Sequence, residues 1–326
     1  MAEYINIKGQ NIEVVASDPA NPTIGQIWYN STSNTLKGGG FQAAGWATGN
    51  NMNTARNALA GVGVQTAALA FGGFDATART GATEEYDGTN WATSGSMSNA
   101  RYVLAGAGIQ TAALGFGGTH PPEQSATEAY NGSTWTSANS LPTQKSTLGG
   151  CGTQTAALAF GGNPGTGRVA TTEEYDGTNW TAVNSLNTAR TEMGSAGIQT
   201  AALAFGGEAA PGLSGATEEY DGTSWVTSAG SLNTARRTLG STVAGTQTAA
   251  LGFSGNLDPG ISTATEEYDG TSWTSVNPLN TTRTSLAGAG TVSAGLAFGG
   301  YTGTARTGAT EEYNPAGPVT KTITAS

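Results

Sequence analysis

The sequence is organised by a repeat about 45 residues long. A glycine pair ends a short apolar run at six places, and the spacings between these places are 45, 44, 45, 48 and 45 residues. The pairs are Gly72-Gly73, Gly117-Gly118, Gly161-Gly162, Gly206-Gly207 and Gly299-Gly300, with Ser254-Gly255 as the variant. A fixed period of this length is typical of chains whose units stack to bury a shared core. The repeat therefore constrains the fold more than any single motif.

Each repeat reads as four short strands, named a to d in chain order. Strand a follows a basic residue, as in 101–108, and strand b is apolar and stops at the glycine pair, as in 111–116. Strand c is Thr83 to Tyr86, an Asp87-Gly88 turn favours a hairpin, and strand d carries a tryptophan. Nothing repeats at helical spacing, and the chain contains 50 glycines. Four antiparallel strands at this period predict β-propeller blades.

Two further landmarks recur with the glycine pair. A basic residue begins each repeat, and these residues are Arg56, Arg101, Lys145, Arg190, Arg236 and Arg283. A tryptophan follows the turn after strand c, at Trp91, Trp135, Trp180, Trp225 and Trp273. We expect the tryptophans to form the repeated core, because disordered chains of similar glycine and serine content lack such regular aromatic positions.

In this order and spacing, the landmarks resemble the kelch repeat: a glycine pair, Glu-x-Tyr-Asp, tryptophan, leucine or methionine, then arginine. The resemblance covers residues 41–316. It implies a β-propeller, usually of six or seven blades. The Asp box of sialidases uses similar residue types, but here aspartate and glycine are adjacent and the spacing to tryptophan differs.

The sixth repeat has no tryptophan after Asn314. At the other end of the chain, Trp46 precedes Arg56 by ten residues, just as Trp91 precedes Arg101. We therefore predict that the strand containing Trp46 completes the sixth blade and removes the open sheet edges. The expected fold is all-β, a six-bladed kelch-like β-propeller closed by this N-terminal strand.

The predicted domain organisation is an N-terminal arm at 1–40, the propeller at 41–316 and a C-terminal tail at 317–326. In the arm, the apolar residues Ile5, Ile7, Ile12, Val14 and Val15 suggest two short strands around 9–11. Residues 24–37 read as a hairpin with a polar turn. The N-terminus lacks a basic start followed by an apolar core, so no signal peptide is expected. No run is long enough to predict membrane insertion.

The arm hairpin is similar to a segment of bacteriophage tail-fibre and appendage proteins. The matching features are Gly-x-Ile-Trp-Tyr-Asn at 25–30, a polar turn, and Leu-Lys at 36–37. The resemblance implies a virion protein on the extracellular particle surface, bound to other virion proteins through the arm. Trp28 and Tyr29 are then the candidate anchor residues. The alternative is that the arm caps the propeller and these two residues pack beneath it.

Charge and cysteine content narrow the partners. The chain has 13 lysines and arginines against 23 aspartates and glutamates, a formal net charge of −10, which argues against nucleic acid. Cys151 is the single cysteine, so no disulfide forms within the chain. We expect it to be a small buried residue of strand a, in the wall of the central channel.

The loops between strands b and c differ most among the repeats. Alternation of strands places these loops and the d–a connections on one side of each blade, and the a–b and c–d turns on the other. The candidate binding residues on the b–c loops are Arg79, His120, Arg168, Tyr301 and Arg306, which would stack on and hydrogen-bond a host-surface glycan. Our hypothesis is that one face anchors the ring in a larger assembly and the other contacts a target.

The sequence offers no case for catalysis, a cofactor or a metal. Paired glutamates such as Glu84 and Glu85 recur in strand c, but neighbouring strand residues point to opposite sides and do not form one cluster. A feature repeated in every blade is better read as a glutamate–arginine ion pair that locks blades together. His120 is the only histidine, so the usual histidine-rich zinc or copper sites are excluded, including that of kelch-type copper oxidases.

The expected function is that of a non-enzymatic phage virion structural or appendage protein whose loop face binds a host-surface or virion partner. Two alternatives stay open. One is a carbohydrate-binding or adhesion kelch protein of a bacterium, and the other is purely architectural decoration of a capsid or tail. A polysaccharide lyase or hydrolase would need convergent acids, whereas the acids here are evenly distributed.

Overall fold

The computed structural model describes residues 12–323. The first of the two strands predicted around 9–11 lies outside the described residues. The strands are, in chain order, β1 (Glu13–Val15), β2 (Ile27–Asn30), β3 (Thr35–Gln42), β4 (Gly45–Gly49), β5 (Ala60–Val64), β6 (Ala67–Phe71), β7 (Thr83–Tyr86), β8 (Trp91–Ser94), β9 (Ala105–Ile109), β10 (Ala112–Phe116), β11 (Thr127–Tyr130), β12 (Trp135–Ala138), β13 (Gly149–Gly152), β14 (Ala157–Phe160), β15 (Thr172–Tyr175), β16 (Trp180–Val183), β17 (Gly194–Ile198), β18 (Ala201–Phe205), β19 (Ala216–Tyr220), β20 (Trp225–Ser231), β21 (Gly240–Ser241), β22 (Ala250–Phe253), β23 (Thr265–Tyr268), β24 (Trp273–Val276), β25 (Ala287–Thr291), β26 (Ala294–Phe298), β27 (Thr310–Asn314) and β28 (Gly317–Thr322).

Contacts divide the described residues into two units, 12–44 with 315–323, and 45–314. The smaller unit therefore includes 41–44 and 315–316, which the sequence pattern places in the propeller. That unit contains one four-stranded sheet of order β1-β2-β3-β28. The predicted hairpin is confirmed, because β2 pairs antiparallel with β3. The C-terminal tail contributes β28, which pairs along β3 from Gly317 opposite Gln42 to Thr322 opposite Lys37.

The larger unit consists of six sheets of four antiparallel strands, an all-β, propeller-like arrangement. Five sheets take their strands consecutively: β5–β8, β9–β12, β13–β16, β17–β20 and β21–β24. Throughout 12–323 the chain forms no helix, so none in this range is suited to span a bilayer.

The sixth sheet is assembled from both ends of the larger unit, with the order β25-β26-β27-β4. In its outer pair Trp46 lies opposite Tyr313 and Gly45 opposite Asn314. The strand containing Trp46 therefore pairs where the sequence predicted it. This pairing covers an edge of β27 that would otherwise offer a row of free backbone groups.

The first strands of the six sheets contact one another in cyclic order, β5 to β9, β13, β17, β21, β25 and back to β5. The sequence pattern predicts that strand a begins directly after the basic residue, but β9 begins four residues after Arg101. The intervening segment contains one residue with a left-handed backbone in each repeat, at φ between 49° and 58°. These residues are Ala58, Val103, Thr147, Glu192, Thr238 and Ser285.

The six left-handed residues form a closed circle of backbone hydrogen bonds, which we call the annulus. The amide of Val103 donates to the carbonyl of Ala58, that of Thr147 to Val103, and so on around to Ala58, which donates to Ser285. The six N···O distances are 2.7–3.0 Å. A left-handed backbone costs a non-glycine residue about 1–2 kcal/mol. Here the conformation directs both backbone groups of each residue at its two neighbours in the annulus.

Aromatic rings fill the space between adjacent sheets. The phenylalanine that ends strand b packs on the tryptophan of the following sheet, with ring centroids 4.6–5.0 Å apart. Trp46 packs on Phe253 in the same way that Trp91 packs on Phe298. All six tryptophans of the larger unit are buried. Each also donates its indole N–H to a strand c threonine of the preceding sheet at 2.9–3.1 Å.

The predicted ion pair of glutamate with the repeated basic residue is present in all six repeats, fully buried. It lies within one sheet, however, and does not lock neighbouring sheets together as expected. Arg56 reaches from the segment before β5 across β6, where it donates to the carbonyl of Ala70, to Glu84 on β7. The backbone amides of Asn53 and Thr54 donate to the same carboxylate. The pair therefore fixes the entry of the chain into each sheet.

Other side chains connect neighbouring sheets. The second glutamate of four strand c pairs accepts a hydrogen bond from the tyrosine of the next sheet, as Glu85 does from Tyr130 at 2.5 Å. Five glutamines of the a–b turns donate to two carbonyls of the preceding sheet. These glutamines are Gln65, Gln110, Gln154, Gln199 and Gln247. Val292 replaces the glutamine in the sixth repeat.

These tyrosines predict a loss of stability at alkaline pH. Burial first, and then the hydrogen bond to Glu85, raise the pKa of Tyr130 to about 12 from an ordinary value of 10. The folded state therefore favours the protonated phenol, so the contribution is complete below pH 10 and is lost as pH rises towards 12. We expect the free energy of unfolding, measured by urea titration, to fall across this range. Tyr130→Phe should reduce the slope, and an unchanged slope would contradict the assignment.

Candidate functional site

The two sides of the larger unit are distinguished by their loops. We call the b–c loops and d–a connections the loop face, and the a–b and c–d turns the turn face. On the loop face, the residue after the glycine pair forms a β-bridge with the residue after the basic residue. These bridges are Asn57–Phe74, Tyr102–Thr119, Ser146–Asn163, Thr191–Glu208, Arg237–Asn256 and Thr284–Tyr301. On the turn face, Gln110 donates to the carbonyl of Tyr86, so a–b and c–d turns lie side by side.

One half of the loop face carries aromatic and cationic groups from three consecutive repeats. The guanidinium carbon of Arg306 lies 4.7 Å from the ring centroid of Phe74, and its Nε donates to Asn57 at 3.0 Å. The rings of Phe74 and Tyr102 pack edge to face, with their centroids 5.5 Å apart. The backbones of Tyr301 and Arg306 form a β-bridge within one loop. The strip combines flat apolar rings with planar N–H donors.

Arg79 and His120 continue this strip. Arg79 Nη2 lies 3.0 Å from His120 Nε2, and His120 Nδ1 lies 2.9 Å from the carbonyl of Ala100. Because the carbonyl only accepts and the guanidinium only donates, this geometry matches the tautomer that carries its proton on Nδ1. Arg79 forms no ion pair within the described part of the chain. Its side chain is exposed, and its charge is available to a ligand.

The other half of the loop face is an ion-pair cluster of the third to fifth repeats. Arg237 pairs with Glu208, with Asp258 at 2.9 Å and with Glu192 at 3.5 Å. Arg168 pairs with Glu208 as well. Burial raises the pKa of Glu192, although Arg237 counteracts it. Arg168, one of the predicted binding residues, is therefore neutralised by Glu208 of the following repeat.

Phe74, Tyr102, Glu208 and Arg237 belong to these two groups of loop-face residues but are not among the candidates predicted from the sequence. All four lie at bridged positions. Phe74 and Glu208 directly follow a glycine pair, and Tyr102 and Arg237 directly follow the basic residue. These positions differ among the repeats more than the landmarks beside them do. The sequence signal for these residues is variation at a fixed distance from a landmark of the repeat.

Small cavities lie where the first strands of the six sheets meet. Leu59, Leu104, Leu148, Met193, Leu239 and Leu286 are buried around one of them. Cavities of about 110 and 100 Å³ lie against this ring, enough for a few water molecules. Cys151 lies on β13 and is buried, which raises the pKa of its thiol to about 12. Within 12–323, no three His, Cys, Asp or Glu side chains converge as metal ligands.

The candidate anchor residues differ in exposure. Trp28 is fully buried in the smaller unit and donates its indole N–H to Asp18 at 2.9 Å. Asn30 donates to the same oxygen, and these two bonds lower the pKa of Asp18. Tyr29 is half-buried and donates to Asn34 at 3.2 Å. Trp28 is therefore the core of its sheet, while part of Tyr29 remains accessible.

Comparison with known proteins assigns no family: no protein-family model matches the chain, and no curated protein is similar to it at a significant level.

Proposed function

We propose that this chain is a non-enzymatic structural and attachment protein of a bacteriophage particle. Its larger unit is a closed, six-bladed kelch-like propeller whose loop face binds a host-surface glycan. The smaller unit, with Tyr29 accessible, anchors the chain to other virion proteins. The protein is located at the surface of the extracellular particle, and it uses no cofactor.

Three observations support a closed six-bladed ring. The annulus has one residue from each repeat. The Phe–Trp contacts run from sheet to sheet and return from Phe298 to Trp91. Both ends of the larger unit supply strands to one sheet, through β27 and β4. Full closure of this kind is how antiparallel repeats avoid exposed edges.

The observation that carries the binding proposal is the strip of Arg306, Phe74, Tyr102, Arg79 and His120. Aromatic faces stack on the apolar faces of sugar rings, and guanidinium groups donate to hydroxyls and carboxylates. The bridges that hold these residues join each b–c loop to its d–a segment, so the strip is rigid before a ligand arrives. Side chains vary at these positions while the scaffold repeats, which is typical of recognition surfaces.

The same contacts favour binding over catalysis. The six repeated carboxylates that a hydrolase would need are buried and already paired with arginine or lysine. A general acid–base pair needs two carboxyls on opposite sides of one bond. The strip on the loop face contains cations and rings instead.

The proposal is tested by binding of the purified chain to surface polysaccharide from bacteria that the particles infect. We expect Arg79→Ala and Phe74→Ala each to weaken binding at least about tenfold, the loss typical of a central contact residue. Asp176→Asn, on the turn face, is the control and should bind normally. The polysaccharide should keep its length during incubation.

A mass-spectrometric inventory of purified particles tests the location. We expect the chain at a fixed ratio to the major structural proteins. Absence from particles would overturn the virion assignment, and binding unaffected by Arg79→Ala and Phe74→Ala would overturn the loop-face site. Shortening of the polymer would establish the enzyme alternative.

A further inference from the structure

The charges of the larger unit are divided between its two faces. Residues 45–314 contain ten basic residues, and six of them are the buried partners of strand c glutamates. The remaining four all lie on the loop face, and they are Arg79, Arg168, Arg237 and Arg306. The a–b and c–d turns of 45–314 contain no lysine or arginine.

Nine carboxylates, in the c–d turns of the turn face and in the adjoining strand c, have no cationic partner among residues 12–323. Four are aspartates of the c–d turns, Asp87, Asp176, Asp221 and Asp269, which accept only from backbone amides and hydroxyls of their own turns. Five are the second glutamates of strand c, Glu85, Glu174, Glu219, Glu267 and Glu312. Where these glutamates have a side-chain partner, it is the neutral phenol of a tyrosine. The negative charge of this face is therefore uncompensated.

Exposed apolar side chains lie at the centre of the same face. Val64, Ile109 and Ile198 occupy equivalent positions where strand a ends, and they are 42%, 57% and 55% exposed. Strand a is the innermost strand, so these residues surround the axis and the carboxylates lie further out. An apolar centre with a charged rim is the usual anatomy of a protein–protein interface.

We propose that the turn face is a docking surface for a protein that presents lysine and arginine side chains around an apolar patch. The carboxylates belong to five different sheets, so a compact metal ion would contact few of them, whereas an extended basic surface would contact many. Nucleic acid and anionic lipid have the wrong sign. The apolar centre requires a partner that also buries surface. This surface is distinct from the loop-face strip and does not depend on the glycan-binding proposal.

The chain provides its own substitutions for the test. Asn131 replaces aspartate in the c–d turn of the second repeat and accepts the same two backbone amides. Thr153, Thr246 and Thr291 stand where other repeats have valine or isoleucine. Asp176→Asn with Asp221→Asn and Asp269→Asn therefore removes three charges in a turn that tolerates asparagine. Val64→Thr with Ile109→Thr and Ile198→Thr removes the apolar centre in the same manner.

The probe is a synthetic amphipathic helical peptide of lysine and leucine, titrated against the full chain at two salt concentrations. We expect the triple aspartate variant to weaken binding by about tenfold at low salt and less at high salt, because exposed charges are screened. The triple threonine variant should also weaken binding. The matched control, Asp75→Asn with Glu123→Gln and Asp258→Asn, loses three charges on the loop face and should bind within about twofold of the wild type.

Equal weakening by the two charge variants would overturn the proposal, since net charge alone would then explain binding. The proposal would also be overturned if the wild-type chain did not bind the peptide, or if the triple threonine variant bound it with unchanged affinity. Circular dichroism confirms that each variant keeps its β-sheet signal. Polysaccharide binding by the turn-face variants should remain normal, which separates failure here from failure of the loop-face site.

Discussion

Arg190→Met is expected to lower the free energy of unfolding by about 3–5 kcal/mol, the typical cost of leaving one member of a buried ion pair without its partner. Arg190 is fully buried and donates to Glu218 at 2.6 Å and to the carbonyl of Ala216 at 2.7 Å. The methionine fills similar volume but leaves the Glu218 carboxylate buried with only two backbone amides to satisfy it. Urea unfolding at neutral pH measures the change.

The third repeat supplies the control for this experiment. There Lys145 takes the arginine position and pairs with Glu173, while it also donates to the hydroxyl of Thr171 at 3.2 Å. The residue of the fourth repeat that is equivalent to Thr171 is Ala216. We expect Arg190→Lys to cost roughly 1–2 kcal/mol and the double variant with Ala216→Thr to recover part of it. A cost below about 1 kcal/mol for Arg190→Met would contradict the role of the pair.

Trp46→Ala is expected to destabilise the larger unit by about 3–5 kcal/mol and to make the protein self-associate. The ring is buried against Phe253 and Tyr313, and its N–H donates to Thr265 at 2.9 Å. Its strand β4 is far in sequence from its partner β27, so loss of the anchor releases the strand and exposes an edge. Urea unfolding gives the stability, and sedimentation velocity over a range of concentrations gives the association.

Trp180→Ala is the matched control. Trp180 packs on Phe116 and Tyr175 and donates to Thr127, so the lost contacts are nearly the same. Its strand β16 follows β15 through a four-residue turn, which keeps it at high local concentration beside its partner. We expect a similar loss of stability but a monomeric protein. Association of both variants, or of neither, would contradict a special role for the N-terminal strand.

Much of the strand pattern could be read from the sequence. The position of Trp46 relative to Arg56 predicted a strand pairing between residues more than 260 apart, and Trp46 lies opposite Tyr313. This worked because the tryptophan precedes the basic residue by ten or eleven residues in each of the six repeats, so a missing landmark in one copy identifies the segment that replaces it. The glutamate–arginine pair was predictable for the same reason.

Contacts between repeats were harder to foresee. Nothing in a single repeat shows that the partner of Glu84 is in the same sheet while the partner of Glu85 is in the next one. The direction of each side chain depends on the twist and packing of neighbouring sheets, which the sequence does not state. The binding candidates illustrate this point. Arg79 and His120 lie in contact, whereas Arg168 forms an ion pair with Glu208, which was not among the predicted residues.

The annulus also has a consequence for how the number of repeats in the gene can change. Nearly identical repeats invite unequal recombination, which adds or removes a whole unit. A chain with five or seven units would have to open the circle and reshape it, leaving amide and carbonyl groups unpaired until the angles between neighbours were readjusted. Point mutations at the same six positions leave the circle closed unless they introduce proline, because only backbone groups take part in it. Alanine, valine, threonine, glutamate and serine all occur there, so the copy number is constrained where the side chains are free to vary.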